Sequence, residues 1–467
     1  MPLFKIAFRN ILRNSRRSLM TLAAIAVGAT AMILFGGFMA NVTKGILTQT
    51  VERDGHLSVF HTGYFDFGAG NPGAYGIDSY QNVIRLIAED ATLKPLINVV
   101  TPTVTLFGIA GNFDIDASKT FIGSGFIPSE RDRMRQWDQY GLLRDRPFVD
   151  SGLRDDDATR GVIGVGLARV LGLCDALKLA TCPPRSLVAE PVTLQTASLA
   201  ADLSDLAGRE RNPQAAALEG TPRLDLLAAT ASGAPNVLSL YVAKAEPQGV
   251  KELDDNYVAM HFELAQQLLY GRGEHKAVGI VLQLHRTEDI PLARARLVSM
   301  FKQHGLPLEV RDFTERQPFY NQVIAMFGAI FLFIAMIMGV IVLFTVVNTM
   351  SMSVIERTNE IGTARSIGLR RSGTRRQFLI EGWMLGVIGA TVGVGLAAVA
   401  ASLVNGAGLT WIPPGQAAPV PLRILTSGVA LLNVGTWLAL VIVATIAALI
   451  PANRAARLPV VDALRHV

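Results

Sequence analysis

Residues 323–350 read VIAMFGAIFLFIAMIMGVIVLFTVVNTM, an apolar stretch that contains no Asp, Glu, Lys or Arg. An α-helix rises about 1.5 Å per residue, so about 20 residues cross the roughly 30 Å hydrocarbon core of a membrane. Three more uncharged apolar runs of at least 22 residues follow the same pattern: Leu19–Ala40, Gly382–Val404 and Ile424–Ile450. Four runs of this length favour membrane-spanning helices over buried helices of a soluble core.

The composition of the whole chain excludes a wholly soluble enzyme and a disordered protein. Half of the 467 residues are hydrophobic and 17% are charged, whereas soluble domains usually carry about 25% charged residues. The first apolar run is longer than the hydrophobic region of a normal signal peptide, and no convincing small-residue cleavage site follows it. We therefore interpret this run as a retained membrane anchor.

Basic residues next to the apolar runs predict the orientation of the chain. Residues 1–18 hold basic residues and no acid, and both loop 351–381 and the tail after the fourth run carry more basic than acidic residues. The positive-inside rule places these three segments in the cytoplasm. Residues 42–322 are net acidic, so the overall charge of +5 comes from membrane-flanking residues. It does not support a nucleic-acid partner.

The predicted fold class is a membrane protein with four transmembrane α-helices and a large α+β extracytoplasmic domain between helices 1 and 2. Basic and apolar side chains recur on different sides of residues 1–18 at helical spacing, which predicts an amphipathic helix on the cytoplasmic leaflet. The predicted segments are that helix (1–18), TM1 (19–41), the outside domain (42–322), TM2 (323–350), a cytoplasmic loop (351–379), TM3 (380–404), a short outside loop (405–423), TM4 (424–450) and a cytoplasmic tail (451–467).

The outside domain mixes strand-like and helical patterns, which favours an α+β fold. The predicted strands are His56–Phe60, Val99–Leu106, Gly161–Val165, Pro191–Leu194, Val237–Val242 and Val278–Leu284. The predicted helices are Leu167–Leu173, Phe262–Leu269 and Pro291–His304. An insertion at about 196–235 is rich in Ala, Leu, Asp and Gly, and we interpret Leu199–Pro235 as short helices and loop. This insertion is either mobile or packed as a helical arm.

The sequence offers no credible catalytic or metal site. It contains no GxxxxGK[ST] loop for nucleotide phosphates, no HExxH zinc motif and no GxSxG nucleophile motif. We interpret the glycine-rich segment 161–166 as a strand that turns into a helix at Leu167. Cys174 and Cys182 both lie in the outside domain, where an oxidising compartment favours a disulfide between them over two buried free thiols.

The cytoplasmic segment Ser353–Arg376 reads SVIERTNEIGTARSIGLRRSGTRR. On a helix, Glu356 and Glu360 share one face because they lie four residues apart. Gly362 and Gly368 permit a bend or a close approach of another chain segment. The segment is either a solvated connector or a short surface helix that docks on a cytoplasmic partner.

Four glycines in the third apolar run form two GxxxG steps: Gly382, Gly386, Gly389 and Gly393. Small residues let helices approach closely in lipid. The pattern predicts either an interface that slides during a functional cycle or ordinary packing inside one subunit.

Four motifs in order give the chain a resemblance to a known family. The loop matches the pattern E-R-x-x-E-I-G-x-x-[KR]-[AS]-[IL]-G and is followed by QFLIEGWMLGVIGATVGVGLA (377–397). The start FRNILRNSRRSLMTLAAIAVG (8–28), the stretch GHLSVFHTGY (55–64) and the end PANRAARLPVVDALRHV (451–467) are also similar. The chain resembles the ABC-transporter permeases of the mechanotransmission kind, which include MacB-type exporters, LolC, LolE and FtsX. It looks most like the LolE-like branch, except in the insertion and the cysteine segment.

The resemblance implies that the cytoplasmic loop is a coupling helix that sits in a groove of a separate ABC ATPase dimer. ATP and Mg would be bound by that ATPase, so we expect no cofactor and no enzymatic activity in this chain. The resemblance carries over seven coupling candidates: Glu356, Arg357, Glu360, Ile361, Gly362, Arg365 and Gly368.

The resemblance also sets expectations for location, assembly and cargo. It implies the bacterial inner membrane, a periplasmic outside domain and a second permease copy in a homo- or heterodimer. The expected activity is release or export of lipoproteins or other amphipathic cargo. The alternatives are a MacB-like peptide or drug exporter with a periplasmic adaptor, and an FtsX-like scaffold that controls a periplasmic enzyme.

Overall fold

The computed structural model describes residues 2–13, 15–142, 148–179, 220–412 and 419–459. The chain divides into two compact units. The helical unit comprises Met1–Gly45, Phe319–Trp411 and Val420–Val467. The second unit comprises Ile46–Pro318 and Ile412–Pro419 and contains the large mixed sheet.

The helices in chain order are α1 (Pro2–Arg13), α2 (Ser15–Asp54), α3 (Tyr64–Phe67), α4 (Tyr80–Glu89), α5 (Pro128–Arg135), α6 (Val165–Val170), α7 (Lys251–Asp254), α8 (Phe262–Tyr270), α9 (Ile290–Gln303), α10 (Phe313–Arg316), α11 (Pro318–Glu356), α12 (Thr358–Ser366), α13 (Arg371–Gly406) and α14 (Ala430–Arg457). The strands are β1 (Leu57–His61), β2 (Ile97–Asn112), β3 (Ala117–Phe126), β4 (Arg160–Gly164), β5 (Arg223–Ala229), β6 (Pro235–Glu246), β7 (Tyr257–His261), β8 (Gly279–Leu284), β9 (Leu308–Asp312), β10 (Thr410–Trp411) and β11 (Val420–Pro421).

Four helices, α2, α11, α13 and α14, are long and apolar enough to cross a membrane, which confirms the four predicted spans. The first helix extends beyond its predicted end at residue 41 and stops at Asp54. It ends there because Gly55 adopts a left-handed conformation with φ of 69°, which glycine tolerates without steric cost.

The fourth spanning helix begins at Ala430 and not at the predicted residue 424. The side chain of Asn405 explains part of this difference. Its Nδ2 donates to the carbonyl of Ile424 at 3.0 Å, and its Oδ1 accepts from the amide of the same residue at 2.8 Å. Both backbone groups of Ile424 are therefore used outside the helix.

The N-terminal helix α1 presents three different faces. Ala7 and Ile11 are buried against the helical unit. Phe4, Phe8 and Leu12, spaced four residues apart, are exposed. The basic residues occupy a further side, so the predicted amphipathic pattern corresponds to a helix that also has a packed edge. The predicted helix over residues 1–18 is too long, because α1 ends at Arg13 and Ser15 already begins α2.

Six strands of the second unit pair in a closed ring. The pairs run β3–β7, β7–β4, β4–β6, β6–β5, β5–β2 and β2–β3. The β3–β7 and β4–β6 pairs are parallel and the other four are antiparallel. Closure leaves none of these six strands as a free edge along the paired stretch, which removes a common route to aggregation.

The other part of the sheet has the order β9–β1–β8–β2, and all neighbours in it are antiparallel. With α4 after β1 and α9 after β8, the succession is β-α-β-β-α-β, the ferredoxin-like arrangement. The ring strands β3–β7 are inserted between β2 and β8. Strand β2 serves both parts, since Ile97–Thr103 pair with β8 and Val104–Asn112 pair with β3.

One large cluster of buried hydrophobic side chains extends through both parts of the sheet in this unit. The ring contributes buried side chains such as Leu106 and Phe121, and the ferredoxin-like part contributes Leu282. Helices α4 and α9 cover the sheet with Ile87 and Leu297, which are both fully buried. The apolar pattern of the outside segment therefore forms a large core of its own.

The prediction of short helices and loop for Leu199–Pro235 is wrong over its last part. Residues Arg223–Ala229 form strand β5, which pairs with β2 and β6. This stretch has few β-branched residues, so pairing with its neighbours overrides its weak intrinsic strand preference. Residues 180–219, including the predicted strand Pro191–Leu194, lie outside the described residues.

The glycine-rich segment 161–166 has the predicted form of a strand followed by a helix. Strand β4 ends at Gly164 and α6 begins at Val165, two residues before the predicted start. The buried carboxylate of Asp254 accepts hydrogen bonds from the amides of Val165 at 3.0 Å and Gly166 at 2.9 Å. The segment is therefore a helix start capped by a distant carboxylate.

Candidate functional site

The predicted coupling segment forms a discrete helix, α12, between α11 and α13 of the helical unit. The amide of Leu369 donates to the carbonyl of Ala364 at 3.0 Å, and the amide of Gly368 donates to the carbonyl of Arg365 at 3.1 Å. With Gly368 at φ of 108°, these bonds form a Schellman motif that ends the helix. Gly368 therefore sets the sharp turn towards α13.

Arg357 stands at the start of α12 and is buried, with 7% of its surface exposed. Its Nη1 donates to Glu381 of α13, with distances of 2.9 Å to Oε1 and 3.2 Å to Oε2. Its guanidinium also lies 5.3 Å from the ring centre of Phe378. The residue that directly precedes α12 is thus fixed to the third spanning helix.

Glu381 is a residue that the sequence analysis missed as part of the site. It is 3% exposed and also accepts a hydrogen bond from Asn10 Nδ2 of α1 at 2.6 Å. The sequence signal that could have identified Glu381 is its position directly before an uncharged apolar run. Acidic residues buried at membrane helices usually face protein partners. Its partners are 24 and 371 residues away along the chain, so spacing alone could not find them.

The two other acidic candidates are bound to the N-terminal part of the chain. Glu360 lies 2.9 Å from Arg13 and 3.4 Å from Arg357 Nε. The hydrogen bond from Arg13 lowers the pKa of Glu360 below its ordinary value, against the opposing effect of partial burial. Glu356 forms an ion pair with Arg17. The acids therefore serve contacts within the chain.

The far end of α12 is also tied down. Arg365 Nη1 donates to the backbone carbonyl of Leu458, directly after α14. Ile361 and Gly362 are buried on the inner side of the helix. Helix α12 is thus anchored at its start to α13 and at its end to the residue that follows α14.

The turn after α12 carries the exposed surface of this segment. Ile367 is 82% exposed and Leu369 is 40% exposed, and Arg370 and Arg371 beside them are exposed as well. An exposed apolar residue beside basic residues is typical of a contact surface for another protein. None of these four residues, Ile367, Leu369, Arg370 and Arg371, is among the coupling candidates of the sequence analysis.

The four glycines of α13 lie at helix contacts inside the helical unit. A Cβ on Gly386 would lie 3.0 Å from Ala444 Cβ of α14, and a Cβ on Gly393 would lie 2.7 Å from the Ala26 carbonyl of α2. Gly382 faces Ala448 of α14, and Gly389 faces Ile25 of α2. The first step of the motif therefore faces α14 and the second faces α2.

Over the described ranges of the chain, no group of three His, Cys, Asp or Glu side chains is placed to hold a metal ion. Cys182 lies outside the described residues, so its disulfide with Cys174 stays a prediction.

His56 is a buried structural histidine in the second unit. Its Nδ1 accepts from the amide of Leu284 at 3.0 Å, and its Nε2 lies 3.2 Å from the hydroxyl of Thr287. Burial lowers the pKa of His56 to about 3. The ring is therefore neutral at physiological pH, with the proton on Nε2.

Comparison with known proteins places this site in context. Residues 323–460 match the family described as FtsX-like permease C-terminal. The uncharacterized ABC transporter permease YknZ of Bacillus subtilis is 35% identical over 26% of this chain and 27% of its own length. The macrolide export ATP-binding/permease protein MacB of Rhodopirellula baltica is 29% identical over 40% of this chain and 26% of its own length. The MacB protein of Neisseria meningitidis serogroup A is 40% identical over 26% of this chain and 16% of its own length. The chain thus matches about a quarter or less of each relative's length.

Proposed function

We propose that this chain, a permease of the MacB/FtsX family, is the membrane subunit of an ABC transporter. It would convert ATP binding and hydrolysis by a separate ATPase into a conformational change of its extracytoplasmic domain. The observation that carries this proposal is helix α12, which Arg357 and Arg365 anchor at both ends while the turn at Ile367 is exposed. A firmly held helix with an exposed end suits a partner that pushes on it.

The coupling candidates divide into three roles in this proposal. Arg357, Ile361 and Arg365 hold α12 in place, and Glu356 and Glu360 tie it to the N-terminal part of the chain. Gly362 lies on the inner side of the helix and Gly368 ends it, so both shape α12. The ATPase would then bind mainly to the turn that these residues present, centred on Ile367 and Leu369.

We further propose the bacterial inner membrane as the location, with both termini and α12 in the cytoplasm and the large domain in the periplasm. The excess of basic residues in the termini and the α12 loop supports this orientation. A second permease copy would complete the transporter, in a homo- or heterodimer. Lipid would contact the exposed apolar stripe of α1, Phe4, Phe8 and Leu12.

An exposed apolar row on the ring favours an amphipathic cargo, such as a lipoprotein. Phe107 of β2 stands opposite Ile122 of β3, and Ile109 of β2 stands opposite Leu227 of β5. Leu227 in turn stands opposite Val237 of β6, which is 55% exposed. Exposed apolar side chains in contiguous register commonly mark a binding surface. The LolE-like assignment of the sequence stays a prediction.

The second candidate function is export of peptides or drugs together with a periplasmic adaptor. It is favoured by the relatives that are named macrolide export proteins. An FtsX-like scaffold that controls a periplasmic enzyme is the third candidate. The three differ in what binds the outside domain: an acylated protein, an adaptor or a soluble enzyme.

The tagged chain, purified from its own membranes in mild detergent, tests these proposals by mass spectrometry of the proteins that co-purify. We expect a P-loop ATPase in a stoichiometric amount. A co-purifying lipoprotein supports the first candidate, and an adaptor supports the second. A folded and intact chain that carries a cell-wall enzyme but no ATPase would replace the transporter proposal with the scaffold.

A further inference from the structure

We propose that Glu381 is a positioning residue that joins α1, α12 and α13 into one mechanical element. The inference rests on the proposed function, because the element matters only if an ATPase acts on α12. Without Glu381, the ATPase would still bind the exposed turn, but its movement would no longer reach the spanning helices in full.

The geometry concentrates three helices on one carboxylate. Glu381 belongs to α13, receives Arg357 from the start of α12 and receives Asn10 from α1. The distances are 2.9 Å from Arg357 Nη1 and 2.6 Å from Asn10 Nδ2, both to Oε1. Both donors meet at the same oxygen, so Glu381 links α1 to the start of α12 in addition to the direct pair of Arg13 with Glu360.

Burial makes this contact stronger than its surface neighbours. The side chains of Arg357 and Glu381 are 9% and 4% exposed, so removal of one partner leaves a desolvated charge or donor. The pair Arg13–Glu360 is more than half exposed, and Arg17–Glu356 is more than one third exposed. Exposed ion pairs contribute little because water and salt screen them. The start of α12 is therefore held mainly by Glu381, while Arg365 holds its end.

A small cavity with polar lining residues lies at the contact between Glu381 and its neighbours. A cavity of about 20 Å³ lies beside Glu381 and is lined by Asn10, Ser18 and Thr349 among others. One water molecule fits a cavity of this size. Polar side chains thus surround part of the cavity next to Glu381, and hydrogen-bond geometry fixes helix positions there more narrowly than apolar contact does.

Hydrogen exchange on the purified full chain in lipid nanodiscs tests the positioning role without any partner. In Glu381→Gln we expect the amides of α12 to exchange at least about tenfold faster than in the wild type, because the helix opens locally. Amides of α9, in the other unit, serve as the internal reference. The matched control is Glu356→Gln, which breaks an exposed pair and should change α12 exchange less than about threefold.

A double variant separates positioning from folding. Arg357→Met combined with Glu381→Leu removes both charges, and such apolar replacement of a buried pair usually preserves stability. We expect its unfolding temperature to be near that of the wild type while α12 exchange stays fast. Wild-type protection of α12 in this double variant would show that the pair serves folding alone and would overturn the proposal.

A second readout uses the complex with its co-purified ATPase. ATP and vanadate should change exchange in the Ile46–Pro318 unit of the wild type, and Glu381→Gln should at least halve that change while retaining the ATPase. An undiminished change in Glu381→Gln would overturn the proposal. Absence of an ATPase from the wild-type chain would instead refute the proposed function, and the exchange of α12 would still report on the positioning role itself.

Discussion

Arg357 and Glu381 form a buried ion pair that joins the short helix α12 to the third spanning helix, with Nη1 2.9 Å from Oε1. This relationship assigns an internal role to a residue that the motif alone places at the surface. The full pattern E-R-x-x-E-I-G-x-x-[KR]-[AS]-[IL]-G contains residues that hold the helix as well as the exposed Ile367, which a partner can touch. The predictions below follow from this distinction and from the packing around it.

Glu381→Leu should lower the free energy of unfolding of the helical unit by about 3–5 kcal/mol, because Arg357 stays buried without its counter-charge. Glu356→Gln should cost at most about 1 kcal/mol, because its pair with Arg17 is partly exposed. Thermal unfolding of both variants in the same detergent compares them directly. Equal losses would show that burial does not distinguish the two pairs.

Gly393→Val should destabilise the chain by about 1–3 kcal/mol, since its side chain would collide with the Ala26 carbonyl of α2. Gly395 in the same helix has no atom within 4 Å of an added Cβ. Gly395→Ala should therefore be neutral or stabilise by up to about 1 kcal/mol through helix propensity. Thermal unfolding checks both, and an unaffected Gly393→Val variant would argue against a close helix contact at that position.

Asp254→Ala should loosen the start of α6, because the amides of Val165 and Gly166 lose their acceptor. We expect a loss of about 1–3 kcal/mol and faster hydrogen exchange over α6. Asp156→Ala, at an exposed pair with Arg154, is the matched control and should change neither quantity noticeably. Unchanged exchange over α6 in Asp254→Ala would remove the capping role.

His56 should make the second unit less stable in acid. Its pKa is about 3 in the folded state because of burial and about 6.5 when unfolded. Between these values the unfolded state binds one more proton, so stability falls as pH drops below about 6.5, by up to roughly 1.4 kcal/mol per pH unit.

His56→Phe should lack this contribution, which the unfolding temperature at about pH 5 and pH 7 can show. His61→Gln, at the last residue of β1, controls for the loss of any histidine. An acid-induced loss in His56→Phe as large as that of the wild type would contradict the assignment.

The spanning helices were predictable because each is a local property of one uncharged apolar run. Strand β5 was not, because Arg223–Ala229 owes its form to pairing with β2 and β6. The closed ring and the ferredoxin-like part likewise depend on β2, which is shared between neighbours far apart in the sequence.

The candidate site was likewise predictable only in part. The loop motif located α12, but the expectation that Glu356 and Glu360 share one helix face is wrong, because Glu356 ends α11 and Glu360 lies in α12. Their partners Arg17 and Arg13 come from the other end of the chain. Glu381 was counted only as a charge of the loop. Its role emerges when Asn10 and Arg357 meet at one carboxylate, a juxtaposition that no local pattern encodes.

The most direct test of the central claim is the ratio of co-purified P-loop ATPase to tagged chain, measured for the wild type, Ile367→Asp and Val298→Asp. Ile367 lies at the proposed docking turn and is 82% exposed, whereas Val298 is an exposed residue of α9 in the other unit. We predict a stoichiometric ATPase with the wild type and Val298→Asp, and at least a tenfold loss with Ile367→Asp. A folded wild-type chain without an ATPase, or full retention by Ile367→Asp, would contradict the account.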